Sequence, residues 1–445
     1  MKILLILPKR RDKQRRTGGI KAYIPPLTLP HLAGLTPKNI DVELCDESVD
    51  DVNFHTDADL IGITGMTSQI NRGYDIADIF RKKGKKVILG GIHVSAMPDE
   101  AKKHADSVLI GEAEDLWEKV LEDARTNRLQ AEYRAGTYTD FKKLILPRYD
   151  LLKLDRYRCS TGTHIPRLPL QATRGCPFNC KFCSVRNFWG PKIRLKPIEN
   201  VEKELLQIRA LGTNRIFFTD DNFIADIRYT RELLALLRKY DFSWICQVST
   251  NIYKHEALVA EMAETGCSAV YMGIESFSKE NLENVNKKFN LRPDYYKLFQ
   301  LLNKYNIRAS ASMIVGLDGD TRESLQEMVR VLIRLRVSYA QFYVLSFFPG
   351  TQLREAFLKE NRIVDDNWDH QNGAIVTFKP KSFQVDELQD YYWKLYKDFY
   401  SFGSIIRRIF TSANFRGGLG SIFVPLRSNL YFSNRLRRGL HPIEN

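Results

Sequence analysis

The sequence predicts an α/β protein in which two parallel-sheet units are followed by a helical extension. Three observations predict it. Short apolar runs alternate with amphipathic helical stretches from Lys2 to about Gly350. Several early runs close on glycine, where a chain leaving a strand must turn tightly. Beyond Thr351 that alternation stops, and an aromatic-rich helical stretch gives way to an arginine-rich tail. The expected units are residues 1–134, a linker over 135–169 carrying Pro147, Pro166 and Pro169, a second unit over 170–350, and the extension over 351–445. A chain of 445 residues, 44% hydrophobic and 27% charged, has the length for more than one domain and the composition of a soluble globular protein.

In the first unit, Lys2–Leu7 reads as an apolar strand, Asp41–Cys45 as a second, and Leu60–Thr64 as a third. Asn71–Lys83 has helical spacing, with Ile76, Ile79 and Phe80 on one side. Val87–Leu89 and Val108–Ile110 are further strands, closed by Gly90-Gly91 and by Gly111. Strands and helices in this order imply a doubly wound, Rossmann-like parallel sheet. Ligands of such sheets sit beyond the C-terminal strand ends. The candidate ligand loops are therefore Pro8–Ile20, Thr64–Ser68, Gly90–Ser95 and Gly111–Glu114. Their small residues let backbone approach something large and flat, or simply make tight turns.

In the second unit, strands are expected at Leu170–Thr173, Arg215–Thr219, Trp244–Val248, Ala269–Met272, Ala309–Ile314 and Ala340–Leu345. Helices fit Ile198–Leu211, Arg228–Lys239, His255–Glu264, Asp294–Asn303 and Thr321–Arg334. Six βα units make a partial barrel, since closure takes eight, and its active face is the C-terminal strand end. In the extension, Glu387–Phe410 reads as one helix, either packed on the barrel or lying on a surface.

The net charge of +14 raises the question of an anionic partner: nucleic acid, a membrane surface or an acidic substrate. From Ser401 to Asn445 there are seven arginines and one acid, Glu444. Arg attracts anionic head groups and aromatic residues favour the interface, so this tail suits a membrane surface better than nucleic acid. The basic run Lys9–Arg16 suits either the polar periphery of a ligand or a solvated loop. No apolar run approaches a membrane span. The N-terminal apolar stretch is too short for a signal peptide and has its basic residues on the wrong side, so a cytoplasmic protein, with peripheral membrane contact, is expected.

The seven cysteines argue for a metal site, not a disulfide framework. Cys176, Cys180 and Cys183 stand at C-x3-C-x2-C in RGCPFNCKFCSVRNFWG, on one loop after the first strand of the second unit. Zinc wants a fourth ligand and usually a second Cys or His pair, which is lacking here; an ordinary ferredoxin cluster also wants a fourth thiolate. Three thiolates suit a [4Fe–4S] cube with one uncapped iron. Cys45, Cys159, Cys246 and Cys267 read as small buried hydrophobes. Asp220 and Glu275, at strand ends, have the chemistry to accept hydrogen bonds from ribose hydroxyls or an ammonium, or to cap helices.

With an aromatic, Phe182, before the last cysteine, this motif resembles the radical S-adenosylmethionine (SAM) superfamily. FTDDN, VSTN, GIES, MIVGLDGDTRES and FFPGT at successive strand ends extend the resemblance. It implies a [4Fe–4S] cluster on Cys176, Cys180 and Cys183 whose free iron chelates SAM. Reductive cleavage of the sulfonium then yields a hydrogen-abstracting 5′-deoxyadenosyl radical. Phe182, Asp220, Ser249, Asn251, Glu275 and Gly316 are the implied SAM contacts. ADLIGITGMTS, KVILGGIHVSAMPDEAKKHADSVLIGEAEDLW and PPLTLPHLAGLTP resemble the cobalamin (B12)-binding domain fused to one large branch of that superfamily. The implied cobalamin contacts are Thr64, Thr67, Ser68, Gly90, Gly91, Ile92, His93, Gly111 and Glu112. The DxHxxG motif that supplies an axial histidine in other B12 proteins is absent, so cobalamin is expected base-off, with His93 a turn or supporting residue.

The leading expectation is a cobalamin-dependent radical SAM C-methyltransferase acting on an unactivated carbon of a hydrophobic lipid, terpenoid or pigment. It would be served by an external low-potential donor such as flavodoxin or ferredoxin. The branch also holds cyclising, coupling and oxidative enzymes, and no motif separates them from methylases. An RNA-modifying enzyme is a third reading. It is disfavoured because the N-terminal unit has one cysteine, Cys45, where methylthiotransferases carry a second set of three, and because the tail reads as helical.

Overall fold

The computed structural model describes residues 1–11, 24–157, 166–410 and 419–442. Most of the Lys9–Arg16 run, Cys159 and Arg416 lie outside them. The N-terminal sheet has six parallel strands: β1 (Lys2–Leu7), β2 (Asp41–Asp46), β3 (Leu60–Thr64), β4 (Lys86–Gly90), β5 (Ser107–Ile110) and β6 (Glu132–Arg134). Their order is β2-β1-β3-β4-β5-β6. The interiors of β1 and β4 and nearly all of β3 are buried, as continuous apolar runs in a doubly wound sheet must be. The order reverses between β1 and β3, and a crevice at that switch point is the expected ligand position.

The second sheet also has six parallel strands: β7 (Leu168–Leu170), β10 (Arg215–Phe218), β11 (Ser243–Gln247), β12 (Cys267–Glu275), β13 (Arg308–Val315) and β14 (Tyr339–Val344). They follow in sequence order from β7 to β14, so the barrel is open between those two edges. The first strand is Leu168–Leu170, not Leu170–Thr173. Thr173–Arg174 (β8) instead pairs antiparallel with Arg194–Leu195 (β9), flanking the cysteine loop. Pro169 is tolerated because β7 is an edge strand.

The described part of the linker, residues 135–157, is tacked to both sheets. Tyr149 donates to the Pro169 carbonyl, and Tyr157 donates to Asp46 Oδ2 at 2.8 Å. The extension holds two helices where one was expected, Val385–Phe399 and Phe402–Ile409, because Ser401 caps the second by accepting from the Ser404 amide. A third helix runs from Leu419 to Arg437.

Helix Val385–Phe399 closes one open edge of the barrel. Tyr396 Oη donates to the Phe342 carbonyl and accepts from its amide, both at 3.0 Å. Tyr400 Oη does the same for Ala340, at 2.9 and 3.3 Å. Four residues of helix rise about 6 Å and two of strand about 6.6 Å, so tyrosines at i and i+4 match alternate edge positions. An edge that would otherwise recruit another strand is thereby satisfied. Ahead of that helix, Trp368 packs in the core of the N-terminal domain and donates to Glu100, tying the extension back to the first unit.

Candidate active site

The cysteine loop is held from both ends. Gly175 sits at φ +97°, where a Cβ would lie 2.1 Å from the Lys192 carbonyl oxygen, so only glycine passes. The Cys176 amide bonds the Gly190 carbonyl at 3.1 Å, and the Lys181 amide bonds the Val285 carbonyl at 3.1 Å. The Leu353 amide in turn donates to the Lys181 carbonyl at 3.0 Å. Cys176, Cys180 and Cys183 are free thiols, each partly buried. Burial pushes all three up, Cys183 to about 12. Thiols so placed hold their protons unless a bound cation compensates, and metal binding is what removes them. Among the described residues no three His, Cys, Asp or Glu side chains converge on a single ion. The corners of a cube do not require such convergence. The donor set fits an iron–sulfur cluster.

Beside the loop, Glu275 ends β12 at φ +67°, in the left-handed region that non-glycine residues avoid. Its carboxylate pairs with Lys287, and both side chains are nearly buried. The Lys287 ammonium lies 5.8 Å from the Phe182 ring and 5.4 Å from that of Phe289. Glu275, Phe182 and the cysteines are thus brought together, with Lys287 joining them. Ser249 and Asn251 meet at the end of β11, hydroxyl to amide oxygen, and the Ser249 amide donates to Asn222 Oδ1 at 2.9 Å.

Two of the expected SAM contacts, Asp220 and Gly316, also have packing roles. Asp220 is fully buried and accepts from the Ala172 amide at 3.2 Å, so it braces the strand that precedes the cysteine loop. Asp220 and its neighbour Asp221 each keep a buried carboxylate oxygen with no hydrogen bond among the described residues. Burial, and then Asp220, push Asp221 up to about 7. Gly316 sits at φ +94° with its bare Cα against the extension; a Cβ there would stand 2.8 Å from both Leu388 and Phe378. Packing requires a glycine there.

A cavity of about 400 Å³ lies between the two units at the C-terminal ends of β1, β3 and β4. Thr64, Gly90, Gly91, Ile92, Gly111 and Glu112 line its N-terminal side, while Gln171, Arg174, Phe188, Trp189 and Thr219 line the barrel side. Gly91, at φ +101°, would place a Cβ 2.6 Å from the Thr64 hydroxyl, so backbone alone can form that wall. Thr67, Ser68 and His93 stand outside the lining. His93 is fully buried, 3.3 Å from both Thr67 Oγ1 and Glu100 Oε1, and edge-on to Trp368. It supports the β4 turn from behind and does not face the cavity. The walls fit a large flat ligand such as a corrin, approached by backbone on one face.

The floor between the units is a buried ion cluster that the sequence did not announce. Arg174 Nη1 donates to Glu112 at 2.7 Å and to Glu114 at 2.5 Å; Arg194 reaches Glu112 at 2.7 Å; His31 lies 2.9 Å from Glu114. The Arg174 guanidinium is also 4.5 Å from the rings of Phe141 and Trp189. Burial pushes Glu114 up, but His31 and Arg174 outweigh it and hold the carboxyl well below its usual range. Glu112, expected to meet a cofactor, spends its carboxylate on two arginines. Of the described part of the basic N-terminal run, Arg11 pairs with Asp75 at 2.5 Å and Asp369 at 3.4 Å.

Comparison with known proteins agrees with this geometry. Residues 170–332 match the Radical SAM superfamily model and residues 20–121 the B12 binding domain model. The chain is 30% identical to bacteriochlorophyllide d C-8(2)-methyltransferase of Chlorobaculum tepidum, over 94% of this chain and 97% of that one. It is 26% identical to hopanoid C-2 methylase of Rhodopseudomonas palustris, over 78% and 67%. The fold matches that of the radical SAM methyltransferase TsrM of Kitasatospora setae, solved with cobalamin and a [4Fe–4S] cluster, at a TM-score of 0.68 and 16% identity over 98% and 99%. The chain therefore belongs to the radical SAM superfamily, in the branch that carries an N-terminal B12-binding domain, and its cofactors are a [4Fe–4S] cluster, SAM and cobalamin.

Proposed function

We propose that this enzyme transfers a methyl group to an unactivated carbon of a hydrophobic substrate, a pigment, terpenoid or other lipid. One observation carries the reading: a single, largely apolar cavity is walled on one side by the strand-end backbone of the B12-binding domain and on the other by barrel residues adjoining the cysteine loop. When bound, the cluster with SAM supplies a carbon-centred radical, and cobalamin a methyl group. Cys176, Cys180 and Cys183 would hold the cluster; Glu275, oriented by Lys287, and Ser249 with Asn251 would orient SAM. Thr64, Gly90, Gly91, Ile92 and Gly111 would receive the corrin. Phe188 and Trp189 supply aromatic surface that excludes water from the shared space. The names of the pigment and hopanoid relatives support a hydrophobic acceptor.

The test uses SAM labelled in its methyl group, a low-potential donor (flavodoxin or ferredoxin), and lipid and pigment extracts of a strain lacking the gene. Label in a product 14 mass units heavier than its precursor is the expected result. Deoxyadenosine formed with product bearing no label assigns the enzyme to cyclisation or oxidation instead.

A further inference from the structure

We propose that the two C-terminal helices, Phe402–Ile409 and Leu419–Arg437, form a docking surface for an anionic lipid bilayer. The proposal stands on this surface alone and does not depend on the reaction. The helices pack on one another through Ile405, Ile409, Ile422 and Leu426. They are fixed to the barrel by Arg408. Its guanidinium is buried and donates to the carbonyls of Val337, Ser338 and Phe399, each at 3.0 Å, to Asn429 Oδ1 at 2.9 Å and to Ser404 Oγ at 3.1 Å. All five N–H groups are thus used, with no carboxylate among the partners. The pair is a built element of the fold.

What this element leaves outside is apolar and basic. On the first helix Phe402, Ile406 and Phe410 recur every fourth residue, so they form one stripe. Phe402 is 63% exposed and Phe410 42%. On the second, Phe423 is 63% exposed and Leu430 42%, on the same stripe as the exposed Arg427 and Arg437. Solvent alone does not reward such residues; a headgroup boundary does, since phenyl rings enter it while arginines meet phosphate. The charge selects the partner. From Ser401 to Pro442 the chain has no acidic residue, and the exposed Arg407, Arg427, Arg437 and Arg438 pair with no carboxylate among the described residues. A protein partner would have to supply both an apolar groove and unpaired acids, which an anionic bilayer offers together. No described helix is long and apolar enough to cross a membrane, so the contact is peripheral.

The position has a consequence. Val337 and Ser338 precede β14, so the helices sit by its N-terminal end, whereas the cysteine loop and cavity lie at the C-terminal strand ends. The surface is a tether, not a substrate port.

The test is co-sedimentation of the full-length, cofactor-loaded enzyme with vesicles of phosphatidylcholine, with or without about one-third phosphatidylglycerol, at about 0.05 M and 0.5 M salt. Binding is expected on the anionic vesicles at low salt and is expected to fall at high salt. R437E/R438E should lower the partition coefficient by roughly 10- to 30-fold. F402S/F423S should lower it by at least roughly 10-fold. Both variants should keep wild-type melting temperature and deoxyadenosine formation. Enzyme that stays in the supernatant with anionic vesicles at low salt overturns the proposal. So does light scattering that shows a dimer dispersed by F402S/F423S, which would assign the face to a second copy of the chain.

Discussion

The two sides of the cavity are made of opposite materials. On the B12-binding side the wall is made by leaving side chains out. Gly90, Gly91 and Gly111 end their strands bare, and the imidazole of His93, on the loop after β4, is turned away and held from behind. On the barrel side the wall is made of side chains, Gln171, Arg174, Phe188, Trp189 and Thr219; Arg174 reaches across to bridge Glu112 and Glu114, and the cysteine loop with the Glu275–Lys287 pair lies beyond that wall. A site made by omission is broken by adding atoms. A site made of side chains is broken by removing one. The two halves can therefore be disabled separately, and each loss should leave the other half working.

The largest effect is expected at the cluster. In Cys176→Ala, deoxyadenosine formation should fall by at least about 1,000-fold, while the visible absorption of bound cobalamin stays. Radical formation that persists would detach the cluster from this loop. Next is Arg174→Met, which leaves Glu112 and Glu114 buried without their shared cation. A loss of about 3–5 kcal/mol of stability follows, measured by chemical denaturation. Adding Glu114→Gln should restore part of it, because the uncompensated charge is the cause. If the double variant is no more stable than the single, packing against Phe141 and Trp189 was the main contribution.

Third is Gly91→Val, on the side made by omission. It forces a branched residue to φ +101° with its Cβ 2.6 Å from Thr64 Oγ1, a strain of about 1–3 kcal/mol. Cobalamin should bind roughly 10- to 100-fold more weakly by absorbance titration, while SAM cleavage continues. Cleavage and cobalamin binding lost together would show that the halves are not separable.

The same contrast explains what could be read from the sequence. Gly90, Gly91 and the cysteine triplet are local signals, a few residues long, and so are the buried runs of β1, β3 and β4. Arg174 with Glu114 was not legible: the two stand 60 positions apart and only the fold brings them together. β6 was missed because EYR buries only Tyr133 and carries no apolar run. Helix Thr28–Leu35 was missed because Pro30 and Gly34 obscure its periodicity, yet Leu27, Leu29 and His31 line the cavity. Which of Asp220 and Asp221 meets the Ala172 amide is set by the fold, and adjacent identical residues cannot announce it.

The smallest effect is expected behind the bare wall, at Glu100. This carboxylate accepts from Tyr74 at 2.9 Å and from Trp368 at 3.1 Å, and His93 lies 3.3 Å away. Burial pushes it up, but hydrogen bonds from His93, Trp368 and Tyr74 outweigh that and bring it from 4.5 to about 2. The folded state thus favours the ionised form. The stability it contributes is fully present above pH 4.5 and is lost as pH falls from there toward 2. Glu100→Gln should cost about 1–2 kcal/mol at neutral pH. The melting-temperature gap to wild type should hold from pH 8 to about 5 and narrow from about 4.5 toward 2. Because His93 faces Glu100 and not the cavity, cobalamin affinity should stay within about twofold of wild type. A gap that ignores pH would remove the carboxylate's assigned role. A fall in cobalamin affinity as large as that of Gly91→Val would show that the bare wall depends on the charge behind it, and the contrast between the two halves would then fail.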